Sequence, residues 1–157
     1  MSGHSTRRLL SLAGQTCSIP DDRHRRPDQP GIMKLLATGN MTVHRLAMPA
    51  PAPGFDEFIT PWLLRTGDAC FLVDVGPRAV SGDLIAKLKS LGVQKVDYVL
   101  LTHAHIDHAG GVAEFISAFP KAKVVAHPKA IPHLIDPTRL WRSSLDVLGD
   151  LAVKYGQ

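Results

Sequence analysis

Cysteine is nearly absent from this chain, with two in 157 residues, Cys17 and Cys70. Neither has a partner at CxxC spacing, so both a disulfide scaffold and a cysteine zinc site are excluded, and a reducing, cytoplasmic compartment is the expectation. Long hydrophobic runs are also missing: no apolar stretch approaches the ~18 residues that span a bilayer, and no membrane partner is expected. Charge of one sign is scarce too. The net charge is +4, and half of it lies in residues 1–32, where Arg7, Arg8, Arg23, Arg25 and Arg26 face Asp21, Asp22 and Asp28. Without a clustered basic face, nucleic acid is not favoured as a partner. A content of 45% apolar and 20% charged residues rules out disorder, collagen and coiled coil for the chain as a whole.

Residues 1–32 differ from the rest. The run Asp22-Arg23-His24-Arg25-Arg26-Pro27-Asp28-Gln29-Pro30-Gly31 is charged or helix-breaking and has no period, which reads as a disordered tail or an over-extended start. Arg7-Arg8 before Leu9-Leu10 is too short of apolar residues for a signal peptide, whose core needs ~7–15. Residues 33–157 form the folded part.

From residue 41 the punctuation is regular. Thr42 to Met48 alternates as a strand, and Pro49 to Gly54 ends it as a loop. Phe58 to Arg65 and Ala69 to Val75 read as two strands of a hairpin turning at Gly67-Asp68. Leu84, Ile85, Leu88 and Leu91 fall at helical spacing between Ser81 and Gly92, which predicts an amphipathic helix. Val96 to Leu101 is a short buried strand. A helix over Val112 to Phe119, a strand over Lys123 to Ala126 and a helix over Ser143 to Tyr155 complete an α/β order, with helices packed on a mixed sheet.

Directly after Leu101 comes Thr102-His103-Ala104-His105-Ile106-Asp107-His108-Ala109-Gly110-Gly111, three histidines and an aspartate within six consecutive positions. Imidazole and carboxylate suit Zn, and also Fe or Mn. The strand-end position is where α/β sheets present their sites. Two-residue alternation points His103 and His105 the same way, leaving Asp107 and His108 to turn toward a neighbouring point. The spacing therefore favours two metal ions, one on each pair. Water bridging two ions about 3.5–4 Å apart is largely hydroxide near neutral pH, a nucleophile for hydrolysis.

His103-x-His105-x-Asp107-His108, with Thr102 before it and Ala109-Gly110-Gly111 after it, resembles the signature of the metallo-β-lactamase-fold metallohydrolase superfamily. Leu72-Val73-Asp74-Val75-Gly76 resembles that superfamily's earlier strand-end motif. The form of the histidine motif is most similar to the glyoxalase II-like branch. The resemblance implies an αββα sandwich, of which this chain would hold the N-terminal half in truncated form. It implies that His103, His105, Asp107 and His108 bind one or two zinc ions, that Asp107 also orients the hydroxide and handles its proton, and that Asp74 supports the ligands. The expected substrate is a small molecule with an ester or thioester-like bond.

The family's later ligands have no counterpart after His108; His127 and His133 read as structural. Inactivity of the chain alone is therefore expected, and an uncovered sheet surface would invite self-association. Two other readings stand beside this one: a catalytically silent fragment or interaction module with a remnant metal site, and a phosphodiesterase of the nuclease branch.

Overall fold

Gly67, with φ +53°, lets the chain reverse between β3 (Trp62–Thr66) and β4 (Ala69–Val73), as the Gly-Asp pair predicts. The structure is a computed structural model and describes residues 31–49, 53–54 and 58–156. Among these residues six strands form one sheet in sequential order. β1 (Ile32–Thr38), β2 (Met41–Leu46), β3 and β4 pair antiparallel, whereas β5 (Tyr98–Leu100) and β6 (Lys123–Val125) join β4 in parallel. Parallel pairing demands crossover connections, which the helices provide. The mixed sheet packed by helices is the architecture that the pattern of periods predicts.

Alternation along the strands defines a dry face. Leu63, Cys70, Leu72 and Val99 are fully buried. Against them lies α1 (Ser81–Ser90), which contributes Leu84 and Leu88, both 0% exposed. Each such leucine stabilises the fold by roughly 1.5–3 kcal/mol relative to an exposed position. Arg65 is also buried on this face, and its guanidinium donates to the carbonyl of Leu91, 2.9 Å away at the end of α1, where the helix dipole favours a cation. Phe115 of α3 (Val112–Ala118) stacks on Phe119, with ring centroids 4.9 Å apart, and closes the core beside α1. The opposite face of the sheet is apolar but only partly covered: Phe71 stacks on Tyr98 at 5.5 Å, and Trp62 and Tyr98 are 38% and 36% exposed.

The strand and helix boundaries differ from expectation in informative places. β1 was not foreseen, because Ile32-Met33-Lys34-Leu35-Leu36 has no strict alternation and its register shifts by a bulge between Lys34 and Leu36. Its first residue, Ile32, and Gly31 before it fall inside the stretch read as tail; residues 1–30 of that stretch lie outside the described residues. The strand expected from Phe58 starts at Trp62, since Pro61 precedes it. The helix expected over Ser143 to Tyr155 is two helices, α5 (Thr138–Leu148) and α6 (Asp150–Tyr155), divided at Gly149, whose φ of +53° ends the first. Asp136 Oδ1 accepts the Thr138 N–H at 3.1 Å and so starts α5 a turn and more earlier than hydrophobic spacing indicates. Two short helices, α2 (Ile106–Ala109) and α4 (Ile131–Ile135), were also unforeseen. Among the described residues no helix is long and apolar enough to cross a membrane.

Candidate metal centre

β4 and β5 end side by side, and the site is assembled where their parallel carboxyl ends open. After Val73 the chain enters the left-handed region at Asp74, with φ +57°, a conformation that aspartate tolerates better than most residues. The Asp74 N–H still donates to the Leu100 carbonyl at 3.0 Å, so the turn stays tied to β5. That conformation swings the carboxylate across to the neighbouring strand end. Asp74 Oδ1 accepts the Thr102 N–H at 2.8 Å, and Oδ2 accepts both the Thr102 hydroxyl and His108 Nδ1, each at 2.8 Å.

The histidine motif is clamped from the same side. Val75 and Gly76 donate their N–H groups to the His108 carbonyl at 3.0 and 3.1 Å, and Gly111 donates to the Gly76 carbonyl at 2.9 Å. A side chain at Gly111 would strike Ser81 Oγ, and one at Gly110 would strike the Ile106 carbonyl. Both glycines are therefore required by close approach rather than by unusual torsions.

Thr102 is the link that reading the sequence missed. Its hydroxyl, with its proton given to Asp74, accepts from His103 Nδ1 at 3.0 Å. That arrangement places the neutral His103 lone pair on Nε2. The Asp74 contact does the same for His108, whose Nδ1–H is engaged and whose Nε2 is left to face Asp107 Oδ2, 3.6 Å away. A separation of 3.6 Å is too long for a direct hydrogen bond.

Electrostatics follow this geometry. Burial raises the Asp74 carboxyl, but the His108 and Thr102 hydrogen bonds outweigh it and hold the group below the ordinary aspartate value. The bond to Asp74, with the charge of Asp107, lifts His108 above the usual histidine value against the effect of burial. Burial, with the positive charge of His108 and His105 nearby, pushes His103 down. In α6, burial and then the Asp107 charge raise the Tyr155 phenol, a second group that sequence pattern did not signal.

His103, Asp107 and His108 each offer a ligand atom within 4.8 Å of the others. His105 stands outside this group; its exposed ring meets the edge of His103, with centroids 4.7 Å apart. His127 and His133 are not in it either. Two imidazole nitrogens and one carboxylate, with two of the tautomers set by hydrogen bonds, fit a catalytic divalent ion, which needs three protein ligands and an open position. The cluster opens on a cavity of about 220 Å³ lined on one side by Asp74, Asp107 and His108 and on the other by residues 58–62.

Comparison with known proteins gives this arrangement a family. The Metallo-beta-lactamase superfamily model matches residues 54–153. Hydroxyacylglutathione hydrolase of Aeromonas salmonicida is 40% identical over 81 residues, 51% of this chain and 29% of that protein. A metallo-beta-lactamase fold-containing protein of Sulfurisphaera tokodaii is 34% identical over 113 residues, 70% of this chain and 41% of its own length. The Rm3 metallo-beta-lactamase superposes with a TM-score of 0.54 at 28% identity, covering 68% of this chain and 35% of that one. The chain thus spans well under half the length of these relatives. With most of its described fold inside the matched segment, the chain belongs to the metallo-beta-lactamase superfamily.

Proposed function

We propose that this chain is a metal-dependent hydrolase of an ester or thioester-like bond in a small molecule, with zinc, or alternatively iron or manganese, held by His103, Asp107 and His108. One observation carries the reading: Asp107 Oδ2 and His108 Nε2, 3.6 Å apart, face a cavity large enough for a small substrate group. When bound there, a divalent ion supplies Lewis acidity toward the scissile carbonyl and lowers the pKa of water.

The chain's own residues do the rest. Asp74 fixes the His108 ring through Nδ1, and Thr102 fixes His103. Asp107, half-buried at the cavity wall, orients the attacking water and takes up its proton at a carboxylate oxygen. His105, whose ring packs against His103, would be the first candidate to serve a second ion. The hydroxyacylglutathione hydrolase relatives support a thioester as the bond cleaved.

The test is hydrolysis by the zinc- or manganese-loaded protein of an acyl-glutathione thioester and, in parallel, of a phosphodiester. Metal-dependent release of thiol that is lost in Asp107→Ala supports the reading. Cleavage of the phosphodiester alone moves the chain to the nuclease branch. Inertness toward both, with zinc demonstrably bound, leaves the silent-module reading.

A further inference from the structure

α2 divides its four residues between two cavities. Asp107 and His108 line the metal cavity, whereas Ile106 and Ala109 line a second one of about 330 Å³. Gly110 and Ala113 follow Ile106 four and seven positions on and line the same second cavity, so one helical stripe makes its floor. The facing wall comes from Leu134 of α4 and from Leu140 and Trp141 of α5, all half-buried and packed against the edge of the core. Asp136 donates its N–H to the Pro132 carbonyl at 2.9 Å and Trp141 donates to that of Pro137 at 2.8 Å, which ties the backbone of this wall together.

The lining decides what can enter. None of the residues around this cavity is Asp, Glu, Lys or Arg, and the polar side chains among them are those of His133 and Trp141. An ion placed there would lose its hydration with no opposite charge to replace it. Volume decides the rest. An apolar cavity of about 150 Å³ takes up benzene, so one of about 330 Å³ admits two fused rings or an alkyl chain of about eight carbons. One turn of α-helix with its side chains, about 10–12 Å across and 5.4 Å tall, does not fit, which excludes a docking helix as the occupant.

We propose that this cavity is a ligand site separate from the metal centre, taking a neutral, apolar small molecule the size of two fused rings. An apolar lining with two polar groups, His133 and the Trp141 indole, is the ordinary make-up of a small-molecule site. Such a site needs no catalysis at the metal centre, and its occupancy is read without turnover.

The full chain is titrated in nitrogen-edited NMR spectra, metal-free so that a carboxylate probe has no ion to bind. The tryptophans of the chain are Trp62 and Trp141, which give two indole N–H signals that Trp62→Phe assigns. Trp141 lines the cavity, while Trp62, on the partly covered sheet face, reports binding elsewhere. The probes are 2-naphthylmethanol, which is neutral, and 2-naphthoate, the same rings with a carboxylate, at about pH 8, where an ordinary histidine is uncharged. A saturable shift of the Trp141 signal by the alcohol is expected, at one site per chain and with Trp62 unmoved. The carboxylate should bind at least about tenfold more weakly.

Two substitutions fill the space from opposite walls. Ala113→Leu, at an exposed position of α3, and Leu134→Phe, in α4, should each weaken the alcohol at least about tenfold in protein whose spectrum stays dispersed. Using both keeps the test decisive if one variant fails to fold. Absence of a saturable Trp141 shift, an equal shift at Trp62, equal binding of the two probes, or indifference to either substitution in folded protein overturns the proposal.

Discussion

Asp74 Oδ2 sits 2.8 Å from His108 Nδ1 and holds that ring by a hydrogen bond that ties the end of β4 to α2, 34 residues apart in sequence. Because the same oxygen also takes the Thr102 hydroxyl, one carboxylate sets the tautomers of two imidazoles, His108 directly and His103 through Thr102. Asp74→Asn keeps the shape but removes the charge, and its single amide oxygen cannot accept at both positions that the carboxylate serves, the NH2 being a donor. Zinc affinity is expected to fall about 10- to 100-fold, the usual cost of losing such a ligand-orienting partner. Competition against a chromophoric chelator measures it, and an unchanged affinity would show that His108 needs no orienting partner.

The same bond makes the stability of the metal-free protein depend on pH at both ends. Asp74 titrates lower in the folded chain than when unfolded, so its contribution is present above the ordinary aspartate value of 3.8 and is lost as pH falls through the folded value. His108 titrates higher when folded, so its contribution is complete below the ordinary histidine value of 6.5 and is lost as pH rises through the raised one. Urea midpoints collected from pH 3 to pH 9 (about the range the two groups cover) should form a plateau between those limits. Asp74→Asn should flatten both shoulders together; loss of only one would mean that the two groups are not coupled.

The legible parts of the fold were those with a short-range physical signature. Leu84 and Leu88 repeat at helical spacing and both are fully buried; Gly67 marks the hairpin it makes. The strand ending near Leu101 and the cluster after it were legible because three histidines and an aspartate crowd a strand-to-glycine turn. What escaped depends on other segments. The Thr102 hydroxyl acquires its role only because Asp74, 28 positions earlier, adopts a left-handed turn. Residues 58–62 come to line the cavity through pairing of their segment with the chain around the end of β2, which no local period reports. Gly149 was passed over because the apolar residues on either side of it continue a helical spacing that the backbone itself does not.

Glycine at 110 and 111 can be tested as two distinct steric problems. Gly111→Ala places its Cβ against Ser81 Oγ, a side chain, whereas Gly110→Ala places it against the Ile106 carbonyl, which is backbone of α2. Each substitution is expected to destabilise by about 1–3 kcal/mol as overpacking. Ser81 is 4% exposed and, among the described residues, its Oγ has no hydrogen-bond partner, so Ser81→Ala removes the obstacle at little expense. Ser81→Ala should therefore rescue Gly111→Ala and leave Gly110→Ala unrescued, as read by thermal unfolding of the two double variants.

The separation of His105 from the three-donor group predicts an order of metal binding. His103, Asp107 and His108 offer ligand atoms within 4.8 Å of one another, while His105 lies outside that group with its ring packed edge-on with that of His103. The first equivalent of zinc should thus survive His105→Ala with affinity changed only about threefold and fall at least about 100-fold in His108→Ala, since a direct ligand matters no less than its supporting partner. Because the ion binds the folded chain preferentially, zinc at 100 times its Kd should stabilise the wild-type protein by about 2.7 kcal/mol. That gain, seen as a rise in Tm reversed by chelator, should persist in His105→Ala and vanish in His108→Ala at the same zinc concentration. The converse pattern would place the first ion on His103 and His105, the pairing that two-residue alternation suggests, and would mean that the ion reorganises the loop as it binds.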